Sequence, residues 1–306
     1  MSRQWSEEIS VSTELAHQLI ERQFPQLAPA AVERVGQGWD NHVFLVNGHL
    51  VFRFPRRALG VMCLEEELRC LPQIAKRLSV PVSNPLFIGV ASEPYPHPFA
   101  GYERLPGNPV HECAPTRSMR SQHAAEFAAF LRKLHDIPTE EAKRFGASSD
   151  VIGRMNLAKR IPQFQDYAHE AREQGLIQDV APLLRLVETL PTSADIEHRA
   201  RLVHGDLNFR NFLIDGEGRL QGVIDWGDVH VGHPAVDLAI MYSYVPQEGR
   251  ALFQSVYGEV DDQTRALARF RAVHTSLYIL IYGNDIQDEA QVREARKSIE
   301  LALEGE

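Results

Sequence analysis

Two short stretches in the second half of the chain carry residue types suited to chemistry on a polyphosphate. His204-Gly205-Asp206-Leu207-Asn208-Phe209-Arg210-Asn211 places an aspartate and, farther along the same tight loop, an asparagine. Ile224-Asp225-Trp226-Gly227-Asp228 adds another aspartate after what reads as a hairpin. These three side chains can converge on one metal-bound polyphosphate. Phosphoryl transfer asks little covalent chemistry of a protein. It needs a carboxylate near the attacking hydroxyl, divalent cations to spread the phosphate charge, and positioning of both partners. Mg²⁺ in such sites takes one or two protein oxygens and fills its shell with phosphate and water. One carboxylate and one amide oxygen meet that need.

The paired motifs resemble those of the aminoglycoside phosphotransferase family, relatives of protein kinases that also include macrolide phosphotransferases and metabolic small-molecule kinases. His-Gly-Asp with Asn211 beyond it is similar to that family's catalytic loop, and Ile-Asp-Trp-Gly-Asp to its metal-binding segment. The resemblance runs from about residue 30 to about residue 285. It implies an α+β, two-lobed protein-kinase-like fold. A small antiparallel-sheet N-lobe over residues 1–105 would bind the nucleotide, and a mostly helical C-lobe over 106–306 would carry the catalytic loop and the acceptor. It further implies that Asp206 orients or deprotonates the acceptor hydroxyl, that Asn211 and Asp225 bind Mg²⁺, and that ATP or GTP is the co-substrate. His204 is expected to brace the loop. The acceptor is expected to be a small hydroxyl-bearing molecule, an antibiotic such as an aminoglycoside or macrolide first, which would make the protein a resistance factor. A metabolite alcohol is the alternative, because fold and catalytic core are shared while the pocket varies.

The first lobe supplies the matching nucleotide parts. Gly36-Gln37-Gly38-Trp39-Asp40-Asn41 lies between strands, where a backbone without Cβ atoms can approach phosphates. No Gly-Lys-Ser/Thr follows, so it is not a Walker loop. The family resemblance puts a lysine on the next strand, and here that position is Arg53, with Glu67 as its partner. Glu67 shares a helix side with Leu71, Ile74 and Leu78, while Glu65 and Glu66 are expected to be solvated. A planar fork and a compact ammonium place charge differently. Arg53 therefore either clamps the phosphates or belongs to a surface cluster with Arg56 and Arg57. Tyr102-Glu103-Arg104-Leu105-Pro106-Gly107 resembles the family hinge, with the Glu103 carbonyl and Leu105 amide reading the base and Tyr102 at the back of its pocket. Tyr102 reads equally as a core aromatic on a strand.

The elements that must hold these residues are legible in outline. A helix over Ser12–Glu21 leads into the strand-rich stretch Ala31–Val46. Asn47-Gly48 then marks a hairpin to Leu50–Phe54. Leu64, Leu68, Leu71, Ala75 and Leu78 have helical spacing, with Pro72 placed to kink that helix. Strands follow over Pro85–Val90 and Phe99–Arg104, with a hinge at Pro106-Gly107. A helix over Ala124–Leu134 ends before Pro138. The polar stretch 140–200 reads as helices. Short strands at Leu202-Val203, Phe212–Ile214 and Leu220–Ile224 precede a helical remainder.

A net charge of −9 over 306 residues argues against a nucleic-acid binder. Apolar residues at 44% and charged residues at 24% suit a globular protein with a sizeable core. Cys63, Cys70 and Cys113 fit neither a disulfide framework nor a zinc site. Met1–Ser12 lacks the apolar core of a signal peptide, and Leu277–Tyr282 is too short to span a bilayer, so a cytoplasmic protein is expected. Acids such as Glu170, Glu173, Asp261, Asp262, Asp285 and Asp288 are candidates for lining a cationic-substrate pocket, and equally read as solvated helix faces. His135 reads as a cation at a helix C-terminus, and Asp237 as a cap or brace for the next helix. The family resemblance sets an acidic residue where His233 stands. Two other functions remain open: a non-catalytic nucleotide-binding protein, which Arg53 allows, and a metal hydrolase built on His204, Asp206, His230 and His233.

Overall fold

Alternating apolar residues and an Asn-Gly turn build the first part of the computed structural model, which describes residues 8–192 and 196–305. The first seven residues of the Met1–Ser12 stretch lie outside the described residues. The chain divides into two compact units, the first drawn from Met1–Lys76, Val82–Leu105 and Asp225–Asp228. In it, strands β1 (Val32–Gln37), β2 (Asn41–Val46), β3 (Leu50–Pro55), β4 (Pro85–Gly89) and β5 (Phe99–Glu103) form an antiparallel sheet ordered β1-β2-β3-β5-β4. The β2–β3 turn has Asn47 and Gly48 at φ 50° and 74°, the left-handed pair that this dipeptide tolerates best. One sheet face buries Phe44, Phe52, Phe54 and Phe99 against Leu19 and Ile20 of helix α1 (Thr13–Gln23). Ser12 caps that helix by accepting from Leu15 N at 3.2 Å. Gly101 is required by close approach, since a Cβ there would lie 2.4 Å from the Phe52 ring.

Helix α2 covers Ala58–Ile74, so it starts and ends earlier than its apolar spacing suggests. Arg57 offers no side-chain cap, and the Ala58 N–H instead donates to Glu8 Oε2 at 3.0 Å, a contact invisible to local pattern. Pro72 is tolerated near the end, where only one more turn depends on it. The short helical turn Trp226–Asp228 packs on α2, and a Cβ on Gly227 would meet Cys63 Cβ at 2.8 Å.

The second unit comprises Arg77–Pro81, Pro106–Ile224 and Val229–Glu306. It opens at Gly107, whose φ of 86° and closeness to the Ile214 carbonyl leave no room for a side chain. The helix Ala124–His135 buries Phe127, Ala128, Leu131 and Leu134, as its spacing implies. The helix Asp262–Asp285 is capped by Asp261 and is buried on nearly every side from Leu267 to Gly283, while Glu289–Leu303 packs along it. The stretch 140–200 holds helices Leu157–Glu173 and Ala181–Glu188. Two small sheets complete the unit. One orders β10 (Leu220–Val223), β9 (Phe212–Ile214) and β6 (Asn108–Pro109); the other orders β7 (Ser148–Ser149), β11 (His230–Gly232) and β8 (Arg201–Val203). Strands β6, β7 and β11 were not expected, because two or three residues carry no period. Among the described residues no helix is long and apolar enough to cross a membrane.

Candidate active site

The loop from His204 to Asn211 joins β8 to β9, and a buried carboxylate fixes its start. Asp237, fully buried, accepts from His204 N at 2.7 Å and Gly205 N at 2.9 Å. His135 Nε2 lies 3.2 Å from the same carboxylate, and its Nδ1 lies 2.7 Å from the Tyr257 hydroxyl. Burial acts to raise Asp237, but the His135 contact and the His204 interactions outweigh it, and the carboxyl sits below its usual range. This corrects one expectation and adds to another. Asp237 holds the loop rather than capping the start of the helix Ala235–Leu238, and His135, in the last turn of its helix as expected, is also a buried link to that carboxylate. His204 braces the loop: its Nδ1 accepts from Asp206 N at 3.3 Å, so the opposite nitrogen is the donor to Ile224 O at 3.0 Å.

Asp206 stands on this platform with its side chain 20% exposed. Asn208 and Asn211 donate to its carbonyl at 2.9 and 2.8 Å, and each amide nitrogen lies 3.3 Å from Oδ2. The Asn211 NH₂ is thereby turned toward Asp206, which leaves its amide oxygen as the end suited to a hard cation. Oδ1 faces the Tyr278 hydroxyl at 3.2 Å, Arg154 at 3.4 Å and Arg271 at 3.5 Å. Burial, then the Asp206 charge, push the Tyr278 phenol up to about 12, so it donates. Sequence reasoning missed Asn208, Arg154, Arg271 and Tyr278. The detectable signal was Arg271, His274 and Tyr278 at helical spacing inside an otherwise apolar run.

A second set belongs to the first unit. Arg53 Nη1 meets Glu67 Oε2 at 2.9 Å and Nη2 meets Asp225 Oδ1 at 2.6 Å, with its guanidinium 5.8 Å from the Tyr102 ring centroid. The Glu67 side chain is fully buried. Burial pushes Glu67 up, with Arg53 pulling against it; burial works against Arg53's charge, but Glu67 and Asp225 hold it firmly protonated. The surface-cluster reading of Arg53 fails, since its side chain is only 14% exposed. Asp225 adopts φ 64°, a left-handed conformation uncommon outside glycine. Tyr102 is a buried core aromatic beside Leu64 and Ala100.

Gly36 and Gly38 flank the β1–β2 turn, and a Cβ at either would have room, so the backbone itself does not demand glycine there. Arg56 and Arg57 serve this turn. Arg56 donates to the Gly38 carbonyl at 3.2 Å, Arg56 N bonds Asp40 O at 2.8 Å, and Arg57 pairs with the Asp40 carboxylate. Glu66 is not solvated; its side chain is 13% exposed and pairs with Arg69. Glu103 ends β5 opposite Leu50, Arg104 N bonds His49 O at 2.9 Å, and Leu105 follows.

The remaining candidates disperse. His233 Nδ1 accepts from Ala235 N at 3.1 Å, and His230 lies 4.0 Å from Asp150. Among the described residues no three His, Cys, Asp or Glu side chains gather to hold a metal. Asp261 and Asp288 cap helices, Asp262 pairs with Arg265, and Glu173 faces solvent.

Known proteins are similar to this chain in sequence and fold. A viomycin phosphotransferase of Streptomyces vinaceus is 29% identical over 233 residues, covering 71% of this chain and 76% of its own. An APH(2″) enzyme solved with GDP and kanamycin superposes with a TM-score of 0.68 at 25% identity, covering 94% of this chain and 97% of that one. A type I macrolide 2′-phosphotransferase shares the fold, with a TM-score of 0.59 at 20% identity over 94% of this chain and 98% of its own. The sequence model of the phosphotransferase enzyme family (APH) matches residues 31–273, well over half the chain. With that match, and a loop built around Asp206 and Asn211, the chain belongs to the APH phosphotransferase family and is a small-molecule kinase.

Proposed function

We propose that the chain transfers the γ-phosphoryl group of ATP or GTP to a hydroxyl of a small molecule in the presence of Mg²⁺. The observation that carries this reading is the Asp206 loop, whose backbone is fixed by Asp237 and whose Asn211 amide is already turned for oxygen coordination. Asn211 and Asp225 would hold Mg²⁺, an oxygen pair that fits a hard cation. Bound there, the ion would spread the charge of the phosphates. Asp206 takes the hydroxyl proton as the acceptor oxygen attacks the γ-phosphorus. The bond from phosphorus to the β,γ-bridging oxygen breaks, its electron pair leaves on the nucleoside diphosphate, and the proton passes on to solvent. Arg53, oriented by Glu67 and Asp225, contacts the phosphates. The turn at Gly36 and Gly38 covers them, and the Glu103 carbonyl, Leu105 amide and Tyr102 ring receive the base.

The relatives' names put antibiotic hydroxyls first among acceptors, and GDP in solved relatives supports a purine donor. The test is nucleotide turnover by the purified chain across a screen of hydroxyl compounds, with Mg²⁺ and with excess chelator. Acceptor-dependent turnover that vanishes with chelator is expected. Full activity in chelator, or conversion without any nucleotide, refutes the reading.

A further inference from the structure

The charge beside Asp206 has the wrong sign for a polycation. Arg154 and Arg271 approach its Oδ1 at 3.4 and 3.5 Å. Arg160 stands behind them, donating to the Gly153 and Ile152 carbonyls at 2.8 and 2.9 Å and to Gln163 at 2.9 Å, with no carboxylate among its partners. Those bonds fold the segment that carries Arg154, whose own N–H and that of Met155 are held by Asp150. Asp150 and Asp206 act on Arg271, and Asp150 on Arg160, but burial and the neighbouring guanidiniums outweigh them; His230 also lies 4.0 Å from Asp150. His274, held neutral by burial and the arginines, and Tyr278, which stays protonated, add no negative charge.

Arg271 is the informative member. Its side chain is 3% exposed on the long helix, and its contacts, to Asp206 at 3.5 Å and His274 Nδ1 at 3.4 Å, are long. Charge-assisted bonds from a guanidinium run at ~2.7–2.9 Å and come as forked pairs. A buried cation with only loose partners carries a desolvation cost that a second anion would offset. The Arg53 guanidinium, by contrast, has two close carboxylates at 2.9 and 2.6 Å.

We propose that the acceptor carries an anionic group, a carboxylate or a phosphate, which Arg154 and Arg271 hold while Asp206 engages the hydroxyl. The inference rests on the reading of Asp206 as the acceptor's partner. A forked guanidinium on each side fits a planar carboxylate or a phosphate, and places the anion where it fixes the hydroxyl relative to Asp206. A polycationic aminoglycoside would meet three arginines here.

The test uses the whole chain saturated with Mg²⁺ and a non-transferable nucleoside triphosphate analogue, titrated with inorganic phosphate by calorimetry. Phosphate is expected to bind, and Arg154→Gln and Arg271→Gln are each expected to weaken it about 10-fold or more, the loss of one charged hydrogen bond, with analogue affinity unchanged. Arg154 lies in a loop, so Arg154→Gln and Arg154→Lys keep the test alive if the buried Arg271 variant does not fold. Turnover is then compared across matched acceptors: glycerol, glycerate and glycerol 3-phosphate, with kanamycin as the polycation. Preference for glycerate or for the phosphate tells which anion is used. No phosphate binding, equal binding in the variants, a loss of analogue affinity instead, or kanamycin turnover above every anion overturns the inference. If the analogue does not bind, the phosphotransferase reading fails separately, and phosphate is titrated on the nucleotide-free chain with the same outcomes.

Discussion

Removing Arg53 should be far more costly from the Glu67 side than from the Asp225 side. Glu67 is fully buried with Arg53 at 2.9 Å, whereas the Asp225 side chain is 50% exposed with Arg53 at 2.6 Å. Breaking a buried pair from one end leaves an uncompensated charge and costs ~3–5 kcal/mol. A pair with one half-solvated member is worth only ~0–1 kcal/mol despite its shorter distance. Arg53→Ala should therefore destabilise the first unit by about 3–5 kcal/mol in urea unfolding. Adding Glu67→Gln should restore more than half of this, because the amide keeps the shape without the charge. Adding Asp225→Asn should restore almost nothing. The kinetic cycle runs in parallel. Arg53→Ala should lower kcat/KM for nucleotide ~10- to 100-fold, the scale of a charged hydrogen bond, and Arg53→Lys should recover part of it. Arg53→Ala with a cost under ~1 kcal/mol, the scale of exposed pairs, and additive with Glu67→Gln, would refute both the burial argument and the clamp.

Three further outcomes are expected. Asp206→Asn should reduce turnover by ~10²–10⁴-fold, the range for loss of a general base, at unchanged nucleotide KM; wild-type turnover removes its role. Asp237→Ala leaves the buried N–H groups of His204 and Gly205 unsatisfied, at ~1–3 kcal/mol each. Since the Asp237 carboxyl is depressed in the folded chain, its charge-dependent stabilisation is complete above the unfolded value near ~4. It is lost as pH falls through the lower folded value, so the gap between wild type and Asp237→Asn in urea unfolding should shrink below about pH 4 and stay constant above it. Tyr102→Met should shift the ratio of ATP to GTP efficiency, measured as kcat/KM for each; an unchanged ratio removes Tyr102 from the base pocket.

The elements with a strong period were readable in advance. Asn47-Gly48 named its hairpin because that dipeptide is among the few that accept two left-handed residues cheaply, and Phe127, Leu131 and Leu134 named their helix. Glu67 was readable as the partner of Arg53 because the family resemblance calls for a helix glutamate there and helical spacing put Glu67, not Glu65 or Glu66, on the buried side of α2. What escaped was tertiary. The start of α2 depends on Glu8, fifty residues earlier in the chain, and strands β6, β7 and β11 are made by pairing rather than propensity. His135 and Asp237 each had a plausible local explanation, and only their meeting across the fold shows that Asp237 holds the start of the Asp206 loop. Arg154 and Arg271 were hidden differently. One lies in an aperiodic loop, and the other is a single charge in a helix whose apolar surroundings draw the eye away from it.

Local charge differs between the two sets of residues. Arg53 meets two carboxylates, the buried Glu67 and the half-exposed Asp225. Beside Asp206 the guanidiniums of Arg154 and Arg271 approach one carboxylate oxygen, and Arg160 donates to the neutral oxygens of Gly153, Ile152 and Gln163. Buried charge without close compensation is costly, so on the reading proposed above the loosely held, buried Arg271 favours an anionic acceptor. A chain with net charge −9 would attract polycations from a distance. The local sign beside Asp206 opposes that general field, and for a group in contact the local sign prevails, because solvent and salt screen distant charges far more than buried neighbours.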